Sequence, residues 1–240
     1  MSTPPTNPNA QRRRAPDRGA ALAFLSGLVI TIVGAVVVMV VCPQPPWTGV
    51  HAFTTSFHPL QSLIFVPSLA LPLGCVAVLV GLHSGASAGE RRWSLLALAL
   101  GIVGAAIVCI NYLIQAAFVP ALVRQGSEAV GILASANPGS LFWGLELLGY
   151  GIIGLGLWAA APLFRRRGLD RAIGWVLTIN GAGSFLAAAA LAVDSSWVLG
   201  VPGLGLVLAW NLLMLALAVM LVRRSRSGGA PPLANGSPGS

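Results

Sequence analysis

One acidic residue in this chain, Glu146, lies deep inside a long apolar stretch, which is the feature that most suggests chemistry. A charged side chain at the centre of a bilayer costs about 2.5–3.5 kcal/mol on insertion scales, so such residues usually face the interior of a helix bundle and often mark a site. A purely structural hydrogen bond is the alternative interpretation. Glu146 is therefore a candidate functional residue, with packing as its rival role.

Two amides on the preceding apolar stretch, Asn111 and Gln115, are spaced i, i+4 and so share one face of a helix. A rise of about 1.5 Å per residue places them at a depth similar to that of Glu146 on the next, antiparallel helix. Tyr150 follows Glu146 by one turn, and a folded-back loop can carry His58 toward it. We predict a polar pocket of these five residues, with Glu146 within hydrogen-bonding distance of at least one of the two amides.

Asn180 and Asn211 are predicted to lie near mid-membrane on the last two apolar stretches, and this depth allows a second polar pair there. Asparagine is also common as hydrogen-bonding glue between membrane helices, so a structural role is the simpler interpretation of this pair.

Metal, cofactor and nucleophile signals are missing from the sequence. The three cysteines are widely spaced and fit neither a metal site nor a disulfide framework. The histidines show no zinc-binding spacing. The glycines of residues 149–154 match a GxGxxG string, but the string lies inside an apolar stretch rather than after a strand, so nucleotide binding is not indicated. We predict no metal, no cofactor and no catalytic residue.

The elements that must position these residues are membrane-spanning helices. The 240 residues are 56 % hydrophobic and only 8 % charged, whereas soluble domains carry about 25 % charged residues. Stretches of 18 or more apolar residues are candidate spans. The sequence predicts an all-α, polytopic membrane protein: a bundle of six transmembrane helices over residues 20–42, 59–83, 93–118, 139–163, 171–193 and 198–222, within a domain of residues 19–222.

The orientation of the spans follows from the basic residues, all 14 of which are arginine. Thirteen of them fall on one side of the predicted bundle and only Arg124 falls on the other. Because positive charge accumulates in cytoplasmic loops, both termini are expected in the cytoplasm. The polar tails, residues 1–18 and 223–240, are predicted to be disordered. The arginine-only, alanine-rich composition is typical of a bacterial protein, and we expect a plasma-membrane location.

Three functions fit these features. The first is a non-catalytic membrane subunit or scaffold, with the polar residues used for packing. The second is a protein that binds, transports or senses a small molecule or ion through the pocket around Glu146. The third is an intramembrane enzyme that uses Glu146 with His51 or His58. The expected partners are the lipid bilayer and either a second copy or another membrane protein. The arginines do not form one basic face with interleaved aromatic residues, so nucleic acid is not expected.

Overall fold

The computed structural model describes residues 18–164 and 167–227, and over these ranges the fold is helical and without strands. Six helices are long and apolar enough to cross a membrane, which confirms the predicted six-helix architecture. We number them as spans 1 to 6: Arg18–Val41, Leu60–Ser84, Arg91–Arg124, Leu141–Phe164, Leu169–Val193 and Val201–Arg226. Span 1 begins at Arg18 and the last helix continues to Ser227, so both helices reach into the stretches predicted as tails. Most of those predicted tails lie outside the described residues.

The bundle has two chemically different ends. The arginine end carries the starts of spans 1, 3 and 5 and the end of span 6, where most of the described arginines lie. The opposite end, which we call the loop end, carries two short helices, Val50–Ser56 and Val130–Leu133. Phe53 and Val130 from these helices are buried in a small apolar cluster that also contains Val119 at the end of span 3. This cluster fixes the two longer connections against the loop end.

The six spans form a ring in chain order. Each span packs mainly against the span before it and the span after it, and span 6 packs against span 1 to close the ring. Apolar side chains fill the half of this ring that lies toward the arginine end. Buried residues from five of the spans meet there: Leu28, Leu79, Ile153, Ile173, Leu177, Met214, Leu217 and Leu221. The polar groups of interest lie in the other half.

Two spans depart from regular α-helix. Span 2 is interrupted at Ile64 and Leu69, each three residues before a proline. Proline lacks the N–H that would bond the carbonyl four residues earlier, and its ring clashes with that carbonyl. Span 3 is longer than predicted, at 34 residues, and it contains a π-helical turn at Ile114–Phe118. Such turns are rare and often occur at functional sites.

Glycine allows the backbones of spans 3, 4 and 5 to approach closely. A Cβ atom added at Gly104 would lie 2.6 Å from the carbonyl oxygen of Gly149, and one added at Gly181 would lie 2.5 Å from that of Gly154. Both distances are below any real Cβ contact, so only glycine fits. Small residues at interfaces are the usual device for tight association of membrane helices, and here they bring span 4 close to both of its neighbours.

Polar contacts hold the bundle at both ends of span 5. At the arginine end, Arg224 Nε lies 2.7 Å from Asp170 Oδ1, and its guanidinium lies 4.8 Å from the ring centre of Phe164. At the loop end, Asp194 accepts hydrogen bonds from the backbone N–H and the hydroxyl of Ser196. These two bonds hold the pKa of the Asp194 carboxyl below its usual value. The first interaction joins span 5 to span 6, and the second is local to the connection that follows span 5.

Candidate functional site

Glu146 lies in the second turn of span 4 and points toward span 3. Its Oε2 accepts a hydrogen bond of 3.2 Å from Asn111 Nδ2, and its Oε1 accepts one of 2.8 Å from the Tyr112 hydroxyl. Asn111, which is 1 % exposed, also donates to the Phe142 carbonyl at 3.1 Å. The predicted contact between Asn111 and Glu146 is thus present. It forms because the Gly104–Gly149 crossing holds spans 3 and 4 close together just below it.

Tyr112 is the residue of this cluster that the sequence-based pocket lacks. Its hydroxyl lies 2.8 Å from Glu146 Oε1 and 3.1 Å from the Tyr150 hydroxyl, so it joins Tyr150 to the carboxyl group. The predicted membership of Tyr150 is therefore indirect, through Tyr112. One signal was available in the sequence: the chain contains only two tyrosines, and both lie within four residues of Asn111 or Glu146.

Gln115 makes a different contact, although its i, i+4 spacing predicts that it shares a face with Asn111. Its Nε2 donates to the Leu133 carbonyl at 2.7 Å, and its Oε1 accepts from the Ser135 N–H at 3.1 Å. Gln115 lies in the π-helical turn, where the wider winding changes the angular position of the side chain, so the i, i+4 rule no longer places it on the face of Asn111. It instead satisfies backbone groups of the connection before span 4.

His58 also stays away from the carboxyl group. It is exposed, and its ring Nδ1 accepts a hydrogen bond of 3.3 Å from the Leu60 backbone N–H. The backbone N–H of His58 donates to Gln61 Oε1. These contacts fix the start of span 2 instead of folding the ring back over the bundle. His51 is exposed as well, on the Val50–Ser56 helix. The structure therefore does not bring either histidine into hydrogen-bonding contact with Glu146.

Asn180 and Asn211 do not form the polar pair that their similar depth allows. Asn211 Nδ2 donates to the Val207 carbonyl of its own helix at 2.8 Å, whereas Asn180 Nδ2 is buried without a hydrogen-bond partner. Trp210 makes the contact across instead, and its Nε1 donates to the Ser184 hydroxyl at 3.0 Å. The physical reason is helical phase: adjacent residues differ by about 100° around the axis, so the tryptophan occupies the direction that the asparagine would need.

Aromatic rings from four spans form a cluster that adjoins the carboxyl group through Tyr112. Phe65 of span 2 packs against Tyr112 and Phe142, each at 5.6 Å between ring centres. Trp210 of span 6 packs against Tyr150 at 4.9 Å in an edge-to-face arrangement. Spans 2 and 6 are not neighbours of span 4 in the ring, so these rings meet in its interior. Glu146, Tyr150 and Trp210 nevertheless keep partial exposure, which means that the space beside them is not filled.

Within the described residues, Glu146 contacts two neutral donors and no cationic side chain. A carboxylate can accept about four hydrogen bonds, so acceptor capacity remains. An ionised carboxylate in an apolar environment is costly unless a proton, a cation or water compensates its charge. Over the same residues, no group of three His, Cys, Asp or Glu side chains is placed to hold a metal ion. The arrangement is thus a polar acceptor that adjoins a cluster of aromatic rings.

No protein-family model, no curated protein and no solved structure matches this chain.

Proposed function

We propose that this multi-pass membrane protein binds a small ammonium cation at Glu146, as a binding or sensing protein. The observation that carries the proposal is the carboxyl group itself: neutral donors orient both of its oxygens, and no cationic residue of the described chain compensates its charge. The rings of the adjoining cluster would add to the attraction for an ammonium ion that lies over one of their faces, because the face of an aromatic ring carries negative potential. A carboxylate and rings together are typical of organic-cation recognition rather than of metal binding.

Binding from one side accords better with the packing than passage through the bundle does. Transporters commonly place polar groups on both sides of the midplane. Here the arginine-end half of the ring is filled by aliphatic side chains, among them Leu79, Ile153 and Met214, each at most 1 % exposed. A cation that reaches Glu146 would therefore meet an apolar core below it. The proposed site therefore lies in the loop-end half of the bundle.

The orientation of the protein is part of the same proposal. The arginine end would face the cytoplasm of a bacterial cell and the loop end, with Arg124, would face outward. Reporter fusions made after Arg124 and after Ser227 test this. An enzyme active only outside the cytoplasm should work at the first position and fail at the second, and the reverse pattern would overturn the orientation.

The binding proposal is tested by ligand-induced stabilisation of the full chain in lipid nanodiscs. Tetramethylammonium is the probe, and sodium chloride at equal ionic strength is the control. A ligand at 100 times its dissociation constant stabilises the folded state by about 2.7 kcal/mol. We expect the thermal unfolding midpoint to rise in the wild type and in Glu128→Gln, an exposed loop carboxylate, but not in the near-isosteric Glu146→Gln.

Two outcomes would count against binding at Glu146. In the first, tetramethylammonium gives the wild type no more stabilisation than sodium does. In the second, Glu146→Gln is stabilised as much as the wild type, which would place the cation elsewhere on the protein.

A non-catalytic scaffold or subunit is the second candidate function. The close glycine crossings favour it, since they show that spans 3, 4 and 5 form one tightly packed unit without any ligand. In this case the contacts of Glu146 would serve only to fix spans 3 and 4, and the partner would be a second copy or another membrane protein. Glu146→Gln should then leave cell function intact, whereas the ligand proposal requires function to fall.

A further inference from the structure

The ring of spans is closed over only part of its height where span 1 meets span 6. In span 1 the buried residues are Ala21, Phe24, Gly27 and Leu28, and none follows up to Val41. In span 6 the buried series begins at Met214 and runs toward the arginine end. Before Met214 only Gly203 is buried, and it packs against its own preceding turn at Val198. Toward the loop end no residue of span 1 or of span 6 is therefore buried against the other helix, and we call this open stretch between them the lateral gap.

The lateral gap ends at the rings next to Glu146. Tyr150 and Trp210 are each nine residues from the start of their spans, or about 14 Å along the helix axis. Their rings touch at 4.9 Å, which shows that spans 4 and 6 are level at this point. Trp210 thus lies where the packed part of span 6 gives way to the part beside the lateral gap. Glu146 is one helical turn nearer to the loop end, at the height of the gap.

The walls of the lateral gap are apolar. Leu204, Val207 and Leu208 are exposed on the side of span 6 that carries buried Ala218 and Val222 nearer the arginine end, and Val36 and Met39 of span 1 are exposed as well. Within the described chain, the carboxyl group of Glu146 lies at this height and is joined to the Tyr150 ring through the Tyr112 hydroxyl. A molecule that occupied both places would need an apolar part for the walls and a positive part for the carboxylate.

We propose that the ligand is a single-chain alkylammonium amphiphile that enters from the bilayer through the lateral gap. This inference rests on the proposed function, since it names the kind of cation and its route. The ammonium head contacts Glu146 among the rings of Tyr150 and Trp210, and the alkyl chain passes between spans 1 and 6 into the lipid. Charge complementarity selects the head group, because an anionic or phosphate-bearing lipid would be repelled by the carboxylate. The apolar walls select the chain, since each buried methylene favours binding.

A photoreactive probe tests both the route and the head group. Octylamine with a diazirine at the end of its chain is cross-linked to the full-length protein in nanodiscs, and the labelled residues are mapped by mass spectrometry. The matched control probe is the neutral octanol that carries the same diazirine. We expect the amine to label the gap-facing parts of spans 1 and 6. Glu146→Gln should reduce this labelling by about tenfold, which corresponds to about 1.4 kcal/mol of lost binding free energy. Saturating tetramethylammonium should reduce it in the wild type by displacing the ammonium head. Labelling by the alcohol should not change.

The other outcomes separate this inference from the proposed function. The amine could label the gap equally in the wild type and in Glu146→Gln, without any effect of tetramethylammonium. Such labelling means nonspecific partitioning of the probe into the gap, and it overturns the lateral route. Competitor-sensitive labelling at Val130–Leu133 instead places access at the loop end and also overturns it. In both cases stabilisation by tetramethylammonium would leave the proposed function standing. If there is neither competitor-sensitive labelling nor stabilisation, both proposals fail. The competition arm uses wild-type protein, so it remains decisive even if Glu146→Gln does not fold.

Discussion

The crossing of spans 4 and 5 gives the most quantitative prediction about the stability of the bundle. Gly181→Ala would place a Cβ atom 2.5 Å from the Gly154 carbonyl oxygen and 2.8 Å from Trp158 Cβ. Ordinary contact begins near 3.4 Å, so the two helices must separate by about 1 Å, a strain of the kind that costs about 1–3 kcal/mol in packed cores. Gly183→Ala is the matched control on the same helix, because its added Cβ atom would meet nothing within 4 Å.

Both substitutions gain the same helix propensity, up to about 1 kcal/mol, so this contribution cancels between them. We therefore expect Gly181→Ala to be less stable than Gly183→Ala by about 1–3 kcal/mol. Reversible unfolding of both variants by SDS in mixed micelles measures the difference. Equal stabilities, or a lower stability for Gly183→Ala, would refute the reasoning that backbone contact at Gly181 holds spans 4 and 5 together.

Three further predictions follow from polar contacts. Tyr112→Phe removes hydrogen bonds of 2.8 and 3.1 Å and should lower the free energy of unfolding by about 0.6–1.7 kcal/mol in the same assay. Tyr150→Phe removes only the longer bond and should cost less, so equal losses would contradict this prediction. Gln115→Leu should speed amide hydrogen exchange in the connection before span 4 while leaving tetramethylammonium binding unchanged, and reduced binding would show that the connection shapes the site. Asp170→Asn should lower stability by about 1 kcal/mol by removing the partner of Arg224, and an effect that does not shrink in high salt would argue against an ion pair.

The two candidate functions make opposite demands on the same contacts. If Glu146 only fixes spans 3 and 4, its hydrogen bonds from Asn111 and Tyr112 are its whole role. A glutamine at position 146 can keep both contacts, because its oxygen accepts from Asn111 and its amide nitrogen donates to the Tyr112 hydroxyl. If it binds a cation, the charge is required and the amide is not a substitute. Glu146→Gln therefore separates the roles more cleanly than Glu146→Ala, which would lose the packing and the charge together.

The six spans and their approximate limits can be read from the sequence alone. An apolar run long enough to cross the bilayer must form a helix, because backbone groups in lipid have no other partner. This requirement is local, so it is readable without knowing which helices touch. The same locality made the contact between Asn111 and Glu146 predictable, since consecutive antiparallel helices place residues of equal depth side by side.

Helix packing sets which polar groups share a site and which part of the ring stays open. A single π-helical turn moves Gln115 away from Asn111, and one step of helical phase gives the contact across spans 5 and 6 to Trp210 instead of Asn211. Such changes in the angular position of a side chain depend on packing and on hydrogen bonds to backbone groups distant in sequence, so they cannot be predicted from composition. The lateral gap is likewise invisible in the sequence, because an aliphatic residue that faces lipid has the same side chain as one that faces a neighbouring helix.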